Sequence, residues 1–227
     1  MKDLKHYLKE SVLDDVFAQI EIDDADKMMI IKKSITNWLK NNLLIRFQEN
    51  KLSFDFSTAP IIVNYDGDIK CKTNITSLTN GVFQWGVING DFDCLQCKSL
   101  ESLKGAPKEV VGDFICSECY SLESLEGAPK KVGLSFLCDW CDNLKSLKGA
   151  PKEVGMWFDC GSCTSLKTLE GAPEKVGGDF RCEKCALKSL KGAPKEIGDS
   201  FYCRWGKTKF TEDDVRNVSN VKGRIYC

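Results

Sequence analysis

Residues 92–110 read FDCLQCKSLESLKGAPKEV, residues 114–132 read FICSECYSLESLEGAPKKV, and residues 136–154 read FLCDWCDNLKSLKGAPKEV. They align without a gap. The tripeptide Gly-Ala-Pro recurs at Gly105, Gly127, Gly149, Gly171 and Gly192, in steps of 22, 22, 22 and 21 residues. Self-similarity at a fixed period of this size marks a solenoid, in which each unit buries its apolar face only by stacking on copies of itself. One column is Phe92, Phe114, Phe136, Phe158, Phe180 and Phe201. Two residues on comes Cys94, Cys116, Cys138, Cys160, Cys182 and Cys203, and three further on Cys97, Cys119, Cys141, Cys163 and Cys185. Two leucine columns follow, then Val110, Val132, Val154, Val176 and Ile197.

Ile69-Lys70-Cys71 with Asn74 is a degenerate copy, and Gly223 to Cys227 repeats the aromatic-x-Cys element at the other end. Eight copies at the ~4.8 Å spacing of paired strands would span roughly 34 Å. Two charge columns alternate in sign from unit to unit. These are Lys104, Glu126, Lys148, Glu170, Lys191 and Glu109, Lys131, Glu153, Lys175, Glu196. Unlike charges on adjacent strands favour one register by a few tenths of a kcal/mol per pair. The alternation therefore speaks for stacking and not for a basic binding patch.

Phe-x-Cys-x-x-Cys-x-x-Leu-x-Ser-Leu-x-Gly-Ala-Pro resembles the leucine-rich repeat, most closely the short bacterial and bacteriophage type with a proline-containing return arm. The resemblance covers roughly residues 67–227. It implies an α+β repeat fold, a leucine-rich-repeat solenoid: a parallel sheet of about eight short strands on the concave face and an irregular or extended convex side. It also implies that Asn74 and the second cysteine column turn inward and bond backbone groups of the neighbouring coil. Residues 1–66 are expected to form an N-terminal helical cap or a small helical domain. Helical stripes run over 3–20 and about 25–46, the second carrying Ile31, Ile35, Trp38 and Leu39, and a strand pair falls around Pro60. Thr211-Glu212-Asp213-Asp214 opens a capping helix expected over 211–222, bearing Val215, Val218 and Val221.

If Phe and Cys face inward, the alternating residues face out on the concave side. The scaffold columns hold there while the outward positions vary. Ile115, Leu137 and Trp157 form an apolar strip in successive units, with Trp140 in the next turn and Asp139 and Asp159 beside it. Arg181, Tyr202 and Trp205 extend it toward the C-terminus. Exposed aromatics within a polar rim suit a protein interface. The acids disfavour nucleic acid on this face and favour a basic protein or peptide.

The 13 cysteines admit three readings. C-x-x-C pairs resemble zinc sites. Yet their spacing equals the repeat period, and buried thiols pack as small apolar side chains. Disulfides within C-x-x-C would need side chains that converge. Packed free thiols are the expectation, with no metal and no cofactor, in a reducing cytoplasm. Lys plus Arg is 32 and Asp plus Glu 33, so the chain is neither a basic nucleic-acid coat nor an acidic disordered tail. The single histidine, His6, and the absence of nucleophile, phosphate-loop or HExxH motifs argue against an enzyme. No apolar run is long enough for a membrane span, and the opening residues are not a secretory signal.

The function expected is protein binding through the concave face. The opening LKHYLKESVLDD also looks like the starts of small tailed-phage proteins, which implies a host or phage protein as partner, bound or inhibited. A virion component and a zinc-loaded solenoid are the alternatives.

Overall fold

The computed structural model describes residues 24–44, 48–58 and 60–227, and within it the repeats wind as a parallel β-solenoid. Each unit makes one coil. The aromatic-x element forms eight two-residue strands: β3 (Ile69–Lys70), β5 (Phe92–Asp93), β7 (Phe114–Ile115), β9 (Phe136–Leu137), β11 (Phe158–Asp159), β13 (Phe180–Arg181), β15 (Phe201–Tyr202) and β17 (Ile225–Tyr226). They pair in sequence as one parallel sheet, with Phe opposite Phe in register. The Pro-containing arm, expected to be irregular or extended, is extended and adds a second sheet. Its strands include β4 (Phe83–Ile88), β6 (Glu109–Val110), β8 (Lys131–Val132), β10 (Glu153–Val154), β12 (Lys175–Val176), β14 (Glu196–Ile197) and β16 (Asn220–Val221). Between the Phe strand and the Gly-Ala-Pro turn runs an irregular side carrying the leucine columns.

The core is the set of stacked columns. Phe114, Phe136, Phe158 and Phe180 are fully buried, and neighbouring rings stack at centroid distances of 5.1 to 5.7 Å. Each buried ring is worth about 1.5–3 kcal/mol, and each ring pair roughly a further 0.5–1.5 kcal/mol. The alternating charge columns become ion pairs between adjacent coils. Glu109–Lys131 closes at 2.6 Å, Glu126–Lys148 at 2.9 Å and Glu170–Lys191 at 2.6 Å. They are exposed, so they select register more than they add stability.

At the N-terminal end, α1 (Asp24–Asn42) is shorter than the stripe read from the sequence. It buries Ile31, Ile35 and Leu39 and sets Trp38 edge-on to Phe83 at 5.3 Å. The chain then makes a single antiparallel bridge from Leu43 to Cys71, the residue after β3. This pairing ends the helix, because residues 42–44 exchange backbone hydrogen bonds with residues 70–72. The strand pair around Pro60 forms as β1 (Leu52–Asp55) and β2 (Ile61–Tyr65), and β2 joins the second sheet beside β4. The stripe at 3–20 lies outside the described residues.

At the other end the helix expected over 211–222 is one short turn, α2 (Glu212–Arg216). Thr211 and Asp214 cap it reciprocally. Val221, read as part of the helix, instead pairs with Ile197 and completes the Val column, while Val218 is exposed. Pairing with the waiting edge of β14 outweighs helix propensity in so short a segment. Asn74 is corrected too. It is exposed, and Ile75 fills the inward place where later coils put the second cysteine.

Gly155 is solvent-exposed, yet a β-carbon there would overlap the carbonyl oxygen of Gly133 in the preceding coil. Gly155→Ala is therefore expected to lower the thermal midpoint clearly, whereas Gly81→Ala, with nothing within 4 Å but a φ of 85°, carries only the conformational strain. Phe158→Ala opens a cavity in the middle of the ring stack and should cost about 3–5 kcal/mol in urea unfolding.

Candidate functional site

The outward residues of the Phe strands form one line across the sheet. Register places Asp93, Ile115, Leu137, Asp159, Arg181, Tyr202 and Tyr226 side by side in successive coils. Five of the residues selected from the sequence, Ile115, Leu137, Asp159, Arg181 and Tyr202, therefore share this line. Trp157 precedes its strand by one residue and stands 45% exposed. The Arg181 guanidinium sits 5.8 Å from the Trp157 ring and 4.8 Å from the Tyr202 ring, and donates to Asp179 at 2.9 Å. Its Nε is buried without a hydrogen-bond partner. Stacking between two aromatic faces suits a planar, weakly hydrated cation.

A second line runs along the turn between the paired cysteines. Gln96, Glu118, Trp140, Ser162, Lys184 and Trp205 all have φ between 56° and 59°. Left-handed backbone costs a non-glycine residue of order 1 kcal/mol. In the first five the N–H groups point along the stack and donate to the next coil, as Trp140 does to Gly161 at 2.9 Å and Lys184 to Arg204 at 3.0 Å. Trp140 and Trp205 are 51% and 70% exposed. The Lys184 ammonium lies 5.8 Å from each of their rings. Trp140 and Trp205 thus belong to the turn line and not to the strand line. Asp139 lies beside Trp140 and accepts from the Ser117 hydroxyl.

Asp159 is the unusual charge of the strand line. Burial, reinforced by Asp139 and Glu183, raises its carboxyl to about 6, against the opposing effects of the Gly161 N–H and Arg181. Three other acids serve the backbone of the next coil. Asp91 and Asp113, outward by alternation, accept N–H bonds from Asp113 and Ser135 of the following coils at 2.8 and 2.7 Å. Asp179 accepts from Ser200 in the same way at 3.2 Å. These carboxylates belong to the scaffold. Sequence reasoning missed Lys184 and Tyr226. Tyr226 stacks on Tyr202 at 4.5 Å and carries the Arg204 guanidinium 4.8 Å from its ring. The copy of the repeat at Gly223–Cys227 already placed Tyr226 in this column.

All 13 cysteines are free, and all but Cys227 are buried. The second-column thiols donate backward. Cys119, Cys141, Cys163 and Cys185 reach the carbonyl oxygens of Cys94, Cys116, Cys138 and Cys160 at 3.1 to 3.3 Å. In the first column Cys94, Cys160 and Cys182 donate forward to Ile115, Arg181 and Tyr202 at 3.0 to 3.4 Å. Burial pushes Cys116, Cys138, Cys163 and Cys182 well above the usual thiol range and raises Cys97 to about 12. These are protonated donors, not thiolates. Among the described residues no three His, Cys, Asp or Glu side chains are grouped to hold a metal ion. Among the described residues no helix is long and apolar enough to cross a membrane. No family model, no curated protein and no solved structure matches this chain.

Two measurements check these assignments. In the native protein only Cys227 is expected to react rapidly with a thiol reagent, the other twelve following on unfolding. Asp159 is more readily ionised unfolded, near pH 4, than folded, near pH 6, so its contribution falls as pH rises between those values. Asp159→Asn should therefore gain about 2–3 kcal/mol in urea unfolding at pH 8 and almost nothing at pH 3.

Proposed function

We propose that the chain is a non-enzymatic binding protein of the leucine-rich-repeat kind, holding a basic segment of a partner protein against the outward face of its Phe-strand sheet. The single observation that carries this reading is the line from Ile115 to Tyr202. On a scaffold whose inward columns are nearly invariant, this line changes from aliphatic to acidic to cationic to aromatic, coil by coil. Such a graded row gives a partner chain a register and a direction. Ile115, Leu137 and Trp157 supply apolar contact, and Arg181 and Tyr202 a planar platform. Asp159, held partly out of water near Asp139 and Glu183, is a destabilised carboxylate that a partner's ammonium or guanidinium would relieve. The backward thiol bonds support the leucine-rich-repeat assignment, since the second cysteine column satisfies a neighbouring coil's backbone as that family implies. Helix α1 and the turn α2 serve in this reading as end caps that cover the terminal coils. The free thiols suit a reducing compartment such as the cytoplasm.

The test replaces Leu137 and Trp157 by Asp together. Both are outward, so the thermal midpoint should stay within a few degrees. Partner capture by the immobilised protein should be lost, and a photo-crosslinker at Ile115 should mark the same partner on the unaltered chain. Capture should also weaken as salt is raised. Retained capture by the double variant would place the contact elsewhere.

A further inference from the structure

A groove of about 1160 Å³ lies at the Gly-Ala-Pro corner, across the leucine side of the coil from the Phe strands. Its floor is methyl and ring surface, from Ala106, Ala128 and Ala150 with Pro107 and Pro151. Pro60 and Ile62, flanking and within β2, wall one end. Its rim is cationic, with Lys104, Lys108, Lys130, Lys148 and Lys152 against one acid, Glu126. Glu126 is taken by Lys148 at 2.9 Å.

The residue after each proline makes this rim unlike the ion-pair ladders. That column reads Lys108, Lys130, Lys152, Glu174, Lys195. Lys108 and Lys130 lie directly next to each other, the Lys130 N–H donating to the Lys108 carbonyl at 3.0 Å. Like charges in adjacent strands repel. Among the described residues neither makes an ion pair, nor does Lys104, whereas Lys152 approaches Glu174 at 3.8 Å. Lys145, Lys167 and Lys188 form another like-charge run, but Lys145 is paired with Glu123 at 2.6 Å and none of the three lines the groove. A lysine excess over an apolar floor spans the coils of Ala106, Ala128 and Ala150, and Lys104, Lys108 and Lys130 are its members without an ion pair among the described residues.

We propose that this groove binds an acidic, extended stretch of polypeptide in which carboxylates alternate with small apolar residues. Three coils place the lysines along about 10 Å, and acidic side chains at i and i+2 of an extended chain lie about 7 Å apart. Two carboxylates thus meet the rim while the small residue between them rests on the alanine floor. A phosphate polymer fits less well. Among the described residues no aromatic side chain lines the groove, and single-stranded nucleic-acid sites stack bases on aromatics. The site is independent of the Phe-strand ladder, which attracts the opposite charge.

The test uses an end-labelled dodecapeptide of alternating Glu and Ala, followed by fluorescence anisotropy at low salt. A Gln–Ala peptide and an oligo-dT strand of the same length are the comparators. The Glu–Ala peptide should bind and the Gln–Ala peptide should not. The pair K108E and K130E should weaken binding by about tenfold or more, while the control pair K167E and K188E changes it less than about twofold. K130E alone restores sign alternation beside Lys108 and should hold or raise the melting temperature by ~1–2 °C while still weakening binding, so that loss is not a loss of fold. No preference for Glu–Ala over Gln–Ala, or equal binding by K108E/K130E, overturns the proposal. Tighter, K108E/K130E-sensitive binding of the oligo-dT also overturns it and gives the groove to phosphate.

Discussion

Everything in this protein depends on hydrogen bonding from coil to coil in strict register. A coil of about 22 residues forms only a few turn bonds of its own, such as Leu122 N–H to Cys119 O at 3.0 Å. Its strands bond only to the coils before and after, as Phe136 does to Trp157 and Cys138 to Asp159, both at 2.8 Å. Register then stacks identical side chains on one another, which suits rings, leucines and valines and penalises like charges. The columns of the sequence are the imprint of that rule.

The cysteines follow from the same constraint. The interior of the turn after each Phe strand is narrow and holds backbone carbonyls that a purely apolar residue would leave unbonded. A thiol is small enough to sit beside the Phe ring and still donates weakly to those oxygens. The first coil agrees with this account. Ile75 takes the place of a second-column cysteine in the first coil of the Phe sheet, where among the described residues no earlier coil of that sheet offers a carbonyl to serve. A protonated, hydrogen-bonded thiol needs neither metal nor disulfide to be at home there.

The two exposed regions with character of their own differ in composition and in construction. The Phe-sheet face carries aromatics, two stacked guanidiniums and a carboxylate lifted by burial. The Gly-Ala-Pro corner carries lysines around a methyl floor. The two regions lie on separate sides of the coil, so changes on either leave the core columns unaffected.

Much of this was legible in the sequence. Period and columns placed the Phe strands, the buried thiols and leucines, and the alternating ion pairs such as Glu109–Lys131. Alternation alone put Ile115, Leu137, Asp159, Arg181 and Tyr202 on one outward line. Other features depended on three-dimensional proximity. That Val110 and its equivalents form a second sheet, that Val221 leaves a helix to join it, and that Ile75 replaces Asn74 inside are outcomes of competition for a neighbouring coil's backbone. That Asp91 and Asp113 serve the scaffold, that Lys184 lies near both Trp140 and Trp205, and that Lys108 and Lys130 stand unpaired above a groove depend on distances across coils. A repeat determines which residues recur. Only the stacked chain decides which of them find partners, because each partner lies about 22 residues away along the chain and under 5 Å away in space.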